Sequence, residues 1–475
     1  MDIALIHTCL LTFEGKGLGI IEDGCIGIEQ EVIKYVGKTS GLNFQDADQI
    51  IDGSHHLTMP GLINSHTHTS ETLLRGAAQD LPEIEWMNKG FGPFKKHLSK
   101  EDMIVGAKLG VVEGIRSGTT TFAEYEIHVS SLVKKVYLPF KTRVVAIETI
   151  NEMVSDRTKL KPTDLYILDP EKGRDPLKRT HELFTNYQNE ELVSSMYGPQ
   201  ALDMVSLDTL NVIQTETSER NCKIHMHIAQ GNRERIQIEK RFGKGATTVK
   251  ILHENDFLNE KLIAAHIHDT TPRERALMVE KGVSMVGCPS SISCIDGIVP
   301  PLGHYVELGG NAAIGTDQAP GPGHHNLFQE LKIASIGTKI ITKDPTALPP
   351  WEALKLVTIG GAKVLGLDNK IGSLKVGKQA DIITLDLKRV NLTPTISNPF
   401  HTIIPNLVYS TNGSEVDNVI INGEFIIRDN EFAFIDVEDL LSDVTERAQR
   451  IFENASEDWF AADSRMVKYY REGFL

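Results

Sequence analysis

The run Met59-Pro60-Gly61-Leu62-Ile63-Asn64-Ser65-His66-Thr67-His68 closes a short apolar stretch with two histidines one residue apart. On a strand, alternate side chains share a face, so His66 and His68 point the same way and offer two imidazole nitrogens to one cation. Taken alone, such a pair is as readily a surface pair beside a turn. Three further apolar runs end in metal-ligand side chains. Residues 223–228 carry His225 and His227 at alternate positions, with His227 nearer the end. Residues 262–266 end in His266, and the run from Ala312 ends in Asp317. Imidazoles and a carboxylate at the ends of separate strands suit a divalent metal.

Such residues need a scaffold that gathers strand ends. Between residues 61 and 370, short apolar runs at 62–66, 119–123, 143–148, 192–197, 223–228, 262–266, 283–288 and 312–315 alternate with helical periodicity, as at 99–116, 206–219 and 269–281. Residues 82–98 read as a shorter helix bearing Trp86. That alternation predicts an α/β fold, a (β/α)8 barrel with its chemistry at the carboxyl ends of the strands. Residues 153–178 are polar, contain Pro162, Pro170 and Pro176, and read as an inserted loop. Both chain ends are strand-rich, with Asp23-Gly24 and Asn422-Gly423 as hairpin turns. Residues 1–60 and 371–435 are expected to form one small β-sandwich around the inserted barrel, residues 61–370. Residues 436–475 are expected to be a helical tail, starting with an amphipathic helix capped by Asp436 that packs on the barrel or on a twin subunit.

Composition narrows the function. The chain has 475 residues, 40% hydrophobic and 24% charged, with a formal charge of −15. That charge gives nucleic-acid binding no electrostatic support. No apolar run reaches membrane-spanning length, and the amino-terminal residues lack a secretory pattern, so a cytoplasmic enzyme without a membrane partner is expected. The five cysteines suit neither a disulfide framework nor a cysteine-type zinc site.

Taken together, Pro60 to His68, Gly118-Thr119-Thr120-Thr121, His227-Ile228-Ala229, Ala265-His266, Cys288-Pro289-Ser290-Ser291, Gly315-Thr316-Asp317 and Gly372 to Asp381 resemble the amidohydrolase superfamily. The likeness is to its mononuclear branch, which includes cytosine, guanine and adenosylhomocysteine deaminases, triazine hydrolases, and phenylurea and molinate hydrolases. The resemblance implies one divalent metal held by His66, His68, His227 and Asp317. Zn²⁺ is preferred, and Fe²⁺, Mn²⁺ or Co²⁺ fit the same donors. Asp317 would move the proton, and His266 would contact the substrate or the attacking water. The bridging lysine that a two-metal site needs is absent from residues 194–200. A small-molecule substrate and a homo-oligomer are further implications. Glu124, Trp86 and Ser290 are candidate substrate contacts, with Glu124 also a candidate extra ligand.

One departure sets the expected reaction. In the deaminases of this branch the strand-five motif reads His-X-X-Glu, and the Glu shuttles protons. Here it reads His227-Ile228-Ala229-Gln230, and the strand-four stretch where many relatives place a pocket histidine reads Tyr197-Gly198-Pro199-Gln200. A glutamine hydrogen-bonds but carries no proton. The first expectation is therefore hydrolysis of a C–N or C–S bond in an amide, urea or (thio)carbamate. Asp317 would pass the proton, a protonated His266 would aid the oxyanion, and Gln230 and Gln200 would orient the substrate. The alternative is hydrolytic deamination or dechlorination of a purine, pyrimidine or s-triazine ring; a non-catalytic scaffold comes third. His268 is expected to point away from the site, and His324 and His325 to rim it.

Overall fold

The computed structural model describes residues 1–154, 160 and 164–475. Five strands precede the barrel: β1 (Ile3–Leu11), β2 (Ile20–Glu29), β3 (Val32–Lys38), β4 (Gln49–Asp52) and β5 (His56–Pro60). The barrel strands are β6 (Leu62–His68), β7 (Thr119–Glu126), β8 (Arg143–Ile150), β9 (Val193–Pro199), β10 (Ile224–Ile228), β11 (Leu262–His266) and β12 (Ser284–Gly287), then a broken eighth strand, β13 (Ala312–Ile314) and β14 (Asp317–Gln318). Four strands follow: β15 (Ile382–Asp386), β16 (Val416–Ile421), β17 (Glu424–Arg428) and β18 (Glu431–Phe432).

Barrel neighbours pair in parallel, and Asp317 of β14 pairs with Thr67 of β6, which closes the circle. Strands covered on both faces need apolar or satisfied residues throughout, and every residue of β7 and β8 is buried. The break in the eighth strand depends on Gly315. A Cβ there would lie 2.5 Å from the His66 carbonyl oxygen, so only glycine lets Asp317 reach its place beside β6.

All eight expected runs are barrel strands. β6, β7, β8 and β9 run further at their carboxyl ends than the apolar pattern suggested, because Tyr125, Glu126 and Thr149 are buried there as well. The expected loop at 153–178 is corrected in part. Residues 155–159 and 161–163 lie outside the described residues, but Pro170–Asn186 is a helix. Pro170 begins it, where a missing N–H costs nothing, and Pro176 is carried inside.

The two chain ends build one mixed sheet, ordered β18-β17-β16-β15-β5-β1-β2-β3, with β4 beside β1. Its hydrogen-bonded ladder is continuous, and the sheet rolls over so that its ends face each other. Ile26, Ile28 and Ile33 pack with Ile382 and Ile420, and Val32 bridges Gln379. The sandwich is thus a single folded sheet.

After β6 the chain covers the barrel mouth with short helical pieces, Thr69–Leu74, Glu83–Glu85, Trp86–Phe91 and Gly92–Lys95. Trp86–Phe91 is a π-helix. The long helix Val437–Ala462, capped by Asp436, lies over this segment. Its Ile451 and Ala455 share a core with Leu73, Trp86, Phe91 and Phe94. Among the described residues no helix is long and apolar enough to cross a membrane.

Candidate active site

The barrel brings the four expected ligands together. One ligand atom from each of His66, His68 and His227 lies within 4.8 Å of the others, and the same holds for His66, His266 and Asp317. Asp317 Oδ1 is 3.4 Å from His68 Nε2 and 3.7 Å from His66 Nε2. Hydrogen bonds fix which nitrogen each ring turns inward. His68 Nδ1 lies 2.6 Å from the Tyr125 carbonyl oxygen, and His227 Nδ1 lies 2.9 Å from that of Gln200. A carbonyl oxygen only accepts, so both Nδ1 atoms carry hydrogen and Nε2 is the nitrogen each ring turns toward a cation, with its lone pair available when the ring is neutral. His66 Nε2 is buried and has no hydrogen-bond partner among the described residues. An orphaned imidazole nitrogen beside a carboxylate and two oriented imidazoles fits a divalent cation.

Electrostatics agree. Burial and the surrounding imidazoles hold His66, His227 and His266 well below the usual histidine range. Burial also works against a charged His68, but Asp317 and Glu71 outweigh it and raise its pKa. Burial raises Asp317, opposed by His68 and Ser291. Three neutral imidazoles thus surround a carboxylate that favours positive charge beside it, and a cation meets that demand.

Backbone strain collects at the same strand ends. Ala229, His266, Ile267 and Asp317 all have positive φ, with Asp317 at 60° and His266 at 76°. Left-handed backbone at non-glycine residues persists where the surroundings hold it, and here each instance ends a barrel strand at the cluster.

The cluster floors a cavity of about 500 Å³. Trp86 lines one wall and stacks on Phe91, with centroids 5.3 Å apart and planes 4° from parallel. Gln200 and Gln230 line it from β9 and the end of β10, near Met204. Glu83 lines it too, with Oε1 2.7 Å from Nε of the buried Arg233.

Residues 57–426 match the amidohydrolase family. The chain belongs to the amidohydrolase family. A 5-methylthioadenosine/S-adenosylhomocysteine deaminase of Moorella thermoacetica is 32% identical, covering 91% of this chain and 96% of its own. A 5′-deoxyadenosine deaminase of Methanosarcina barkeri is 31% identical over 95% of this chain and 98% of its own. Among solved structures, an adenosine deaminase from Xanthomonas campestris with bound zinc superimposes with a TM-score of 0.86, at 26% identity, over 95% of this chain and 98% of its own.

Within this amidohydrolase, His266, Gln200, Gln230 and Trp86 line the cavity with the ligand candidates His68, His227 and Asp317, and the fourth candidate, His66, is fully buried beside them. Two expected contacts do not line it. Glu124 turns both oxygens away, accepting from the Thr69 backbone N–H, the Thr69 hydroxyl and the Tyr137 hydroxyl. It pins the chain just after His68. Ser290 is buried, and its N–H donates to Glu330. Pro289 starts a helix there, so the next residue, Ser291, is the one that reaches the cluster and donates to Asp317 Oδ2 at 2.5 Å.

Three other expectations change. His268 lines the cavity, 3.3 Å from Asp296, because the left-handed pair His266-Ile267 ends strand alternation and swings it round. His325 is buried among Thr67, Thr72 and Thr316, and His324 faces Glu330. His266, expected to be protonated, is instead held well below the usual histidine range by burial and the neighbouring imidazoles. Glu83, Arg233 and Asp296 carry no motif in the sequence; they become visible only when loops meet over the barrel mouth.

Proposed function

We propose that this amidohydrolase uses one divalent cation to hydrolyse a C–N bond in a small, planar, nitrogen-rich molecule, releasing ammonia or an amine. The observation that carries the proposal is the meeting of His66, His68, His227 and Asp317 on the floor of one aromatic-walled cavity. Deaminases of adenosine derivatives among the relatives, over nearly the full chain, support a ring-bound amine as the leaving group. Zinc in the Xanthomonas structure supports zinc as the ion. His66, His68, His227 and Asp317 would hold the cation, which would supply a water of lowered pKa and Lewis-acid polarisation of the bond under attack.

The protein residues do the rest. Asp317, steadied by Ser291, takes the proton from the attacking water and returns it to the leaving nitrogen. Neutral His266 donates a hydrogen bond to the charge that develops. Trp86, backed by Phe91, offers a flat wall for a ring.

A second reading, hydrolysis of an amide, urea or (thio)carbamate carbonyl, is favoured by Gln230, which stands where the deaminase motif has its proton-carrying glutamate. Loading with Zn²⁺ or Co²⁺ and assaying adenosine-type nucleosides, aminopyrimidines, arylureas and carbamates tests both. Ammonia from the rings supports the first reading, and free aryl amine from the ureas supports the second. No cation retained after loading would overturn both. The family likeness also supports a cytoplasmic homo-oligomer, and light scattering tests the assembly.

A further inference from the structure

Gln230 is held in one orientation by the buried Glu234. Glu234 Oε2 accepts the Gln230 backbone N–H at 2.9 Å and lies 3.5 Å from the Gln230 side-chain nitrogen. Its Oε1 accepts the Ala229 N–H at 3.1 Å and the Thr248 hydroxyl. Four donors surround this carboxylate and favour its charged, accepting form, while burial and Asp203 raise its pKa. Against that form, an amide flip at Gln230 would turn its oxygen onto a carboxylate oxygen with no proton between them. The NH₂ group therefore faces Glu234, and Oε1 is left for the cavity that Gln230 lines.

We infer that Gln230 is a specificity residue which presents a fixed hydrogen-bond acceptor to the substrate, and that the enzyme selects compounds carrying an N–H beside the carbon under attack. The inference deepens the proposed hydrolysis and rests on it. An amide or urea N–H satisfies this acceptor, and so does a ring of the 2-amino-lactam type, in which the nitrogen next to the amine-bearing carbon is protonated. A bare ring nitrogen, as in an adenine, sets a lone pair against the amide oxygen. A buried site built to receive an N–H rejects a partner lacking it, because the acceptor is left unpaired. Gln200 lines the same cavity with its carbonyl oxygen engaged by His227, which leaves its side-chain amide as a second reader of the ring edge.

The test pairs compounds that differ at this nitrogen. Guanosine-type rings and N-arylureas carry the N–H; adenosine-type rings and arylureas fully alkylated at both nitrogens do not. The metal-loaded enzyme should favour the N–H members by about tenfold or more in kcat/KM. Gln230→Met should erase the preference, because it removes the acceptor without supplying a donor. Calorimetric Kd values on metal-free protein should follow the same order and the same loss of preference. A wild-type preference for bare-nitrogen members, or a ratio unmoved by Gln230→Met, overturns the inference while leaving the hydrolase reading intact. Absence of turnover with every compound overturns the hydrolase reading, and the calorimetric order then decides the acceptor assignment by itself.

Discussion

His225 Nε2 lies 3.0 Å from His66 Nδ1, and both rings are fully buried. Burial and His68 push the His225 pKa down to about 3, so its ring is neutral and can accept from the Nδ1–H of His66. That contact points the lone pair of His66 Nε2 at the cluster. Partners of this kind typically hold metal affinity up by about 10–100-fold. His225→Ala should therefore retain its circular dichroism and lose affinity by about that factor in chelator competition. Unchanged affinity would mean that packing alone orients His66.

A buried acid couples the carboxyl-terminal helix to the barrel. Asp102 Oδ2 accepts from the Ser99 hydroxyl at 2.7 Å and from its N–H at 3.0 Å, while Oδ1 accepts from Arg447 at 3.0 Å and from Arg450. Burial opposes its charge, but the Ser99 and arginine hydrogen bonds prevail and lower its pKa. A folded pKa below the unfolded one adds stability above the unfolded value of about 3.9, and that stability is lost as pH falls through the folded value. Asp102→Asn should lower Tm at neutral pH, and the gap from wild type should close as pH drops below about 4. A gap that persists in acid would assign the effect to packing.

The sequence shows the barrel because each strand is covered on both faces and reads as an apolar run, and because ligands at strand ends follow directly from strand alternation. Legibility fails where the strand stops. His268 sits two residues past His266 and alternation sends it outward; the positive φ values of His266 and Ile267 send it into the cavity. Ser290 and Ser291 are equal candidates on a strand, and only the helix begun by Pro289 selects Ser291. The Glu83–Arg233 pair joins residues 150 positions apart, a long-range contact that local pattern cannot carry.

Arg143 on β8 clamps the barrel to the terminal sheet. Its Nε and one terminal nitrogen reach the two oxygens of Asp381 at 2.8 and 3.0 Å, and both side chains are almost fully buried. Removing one partner strands the other charge away from water, at a cost of about 3–5 kcal/mol. Arg143→Met should lower stability to urea by that order. Arg143→Met combined with Asp381→Leu should recover much of the loss, since neither charge is then stranded. Equal losses in the single and double variants would show that shape, not charge, governs this junction.

Ser291 tests whether the pose of Asp317 matters beyond its presence. The hydroxyl donates to Asp317 Oδ2 at 2.5 Å and accepts from Gln318 Nε2 at 3.2 Å, so its own orientation is fixed. Asp317 Oδ1 is then the oxygen that faces His66 and His68. Ser291→Ala leaves Oδ2 without its donor and frees the carboxylate to rotate. The wall residues Trp86, Gln200 and Gln230 are untouched. As a positioning residue, Ser291 should therefore act on kcat, with a fall of about tenfold or more and KM nearly unchanged. Ser291→Thr, which keeps the hydroxyl, should restore most of the rate. Equal damage by alanine and threonine would assign the defect to the packed space around residue 291 and remove the hydrogen bond from the account of catalysis.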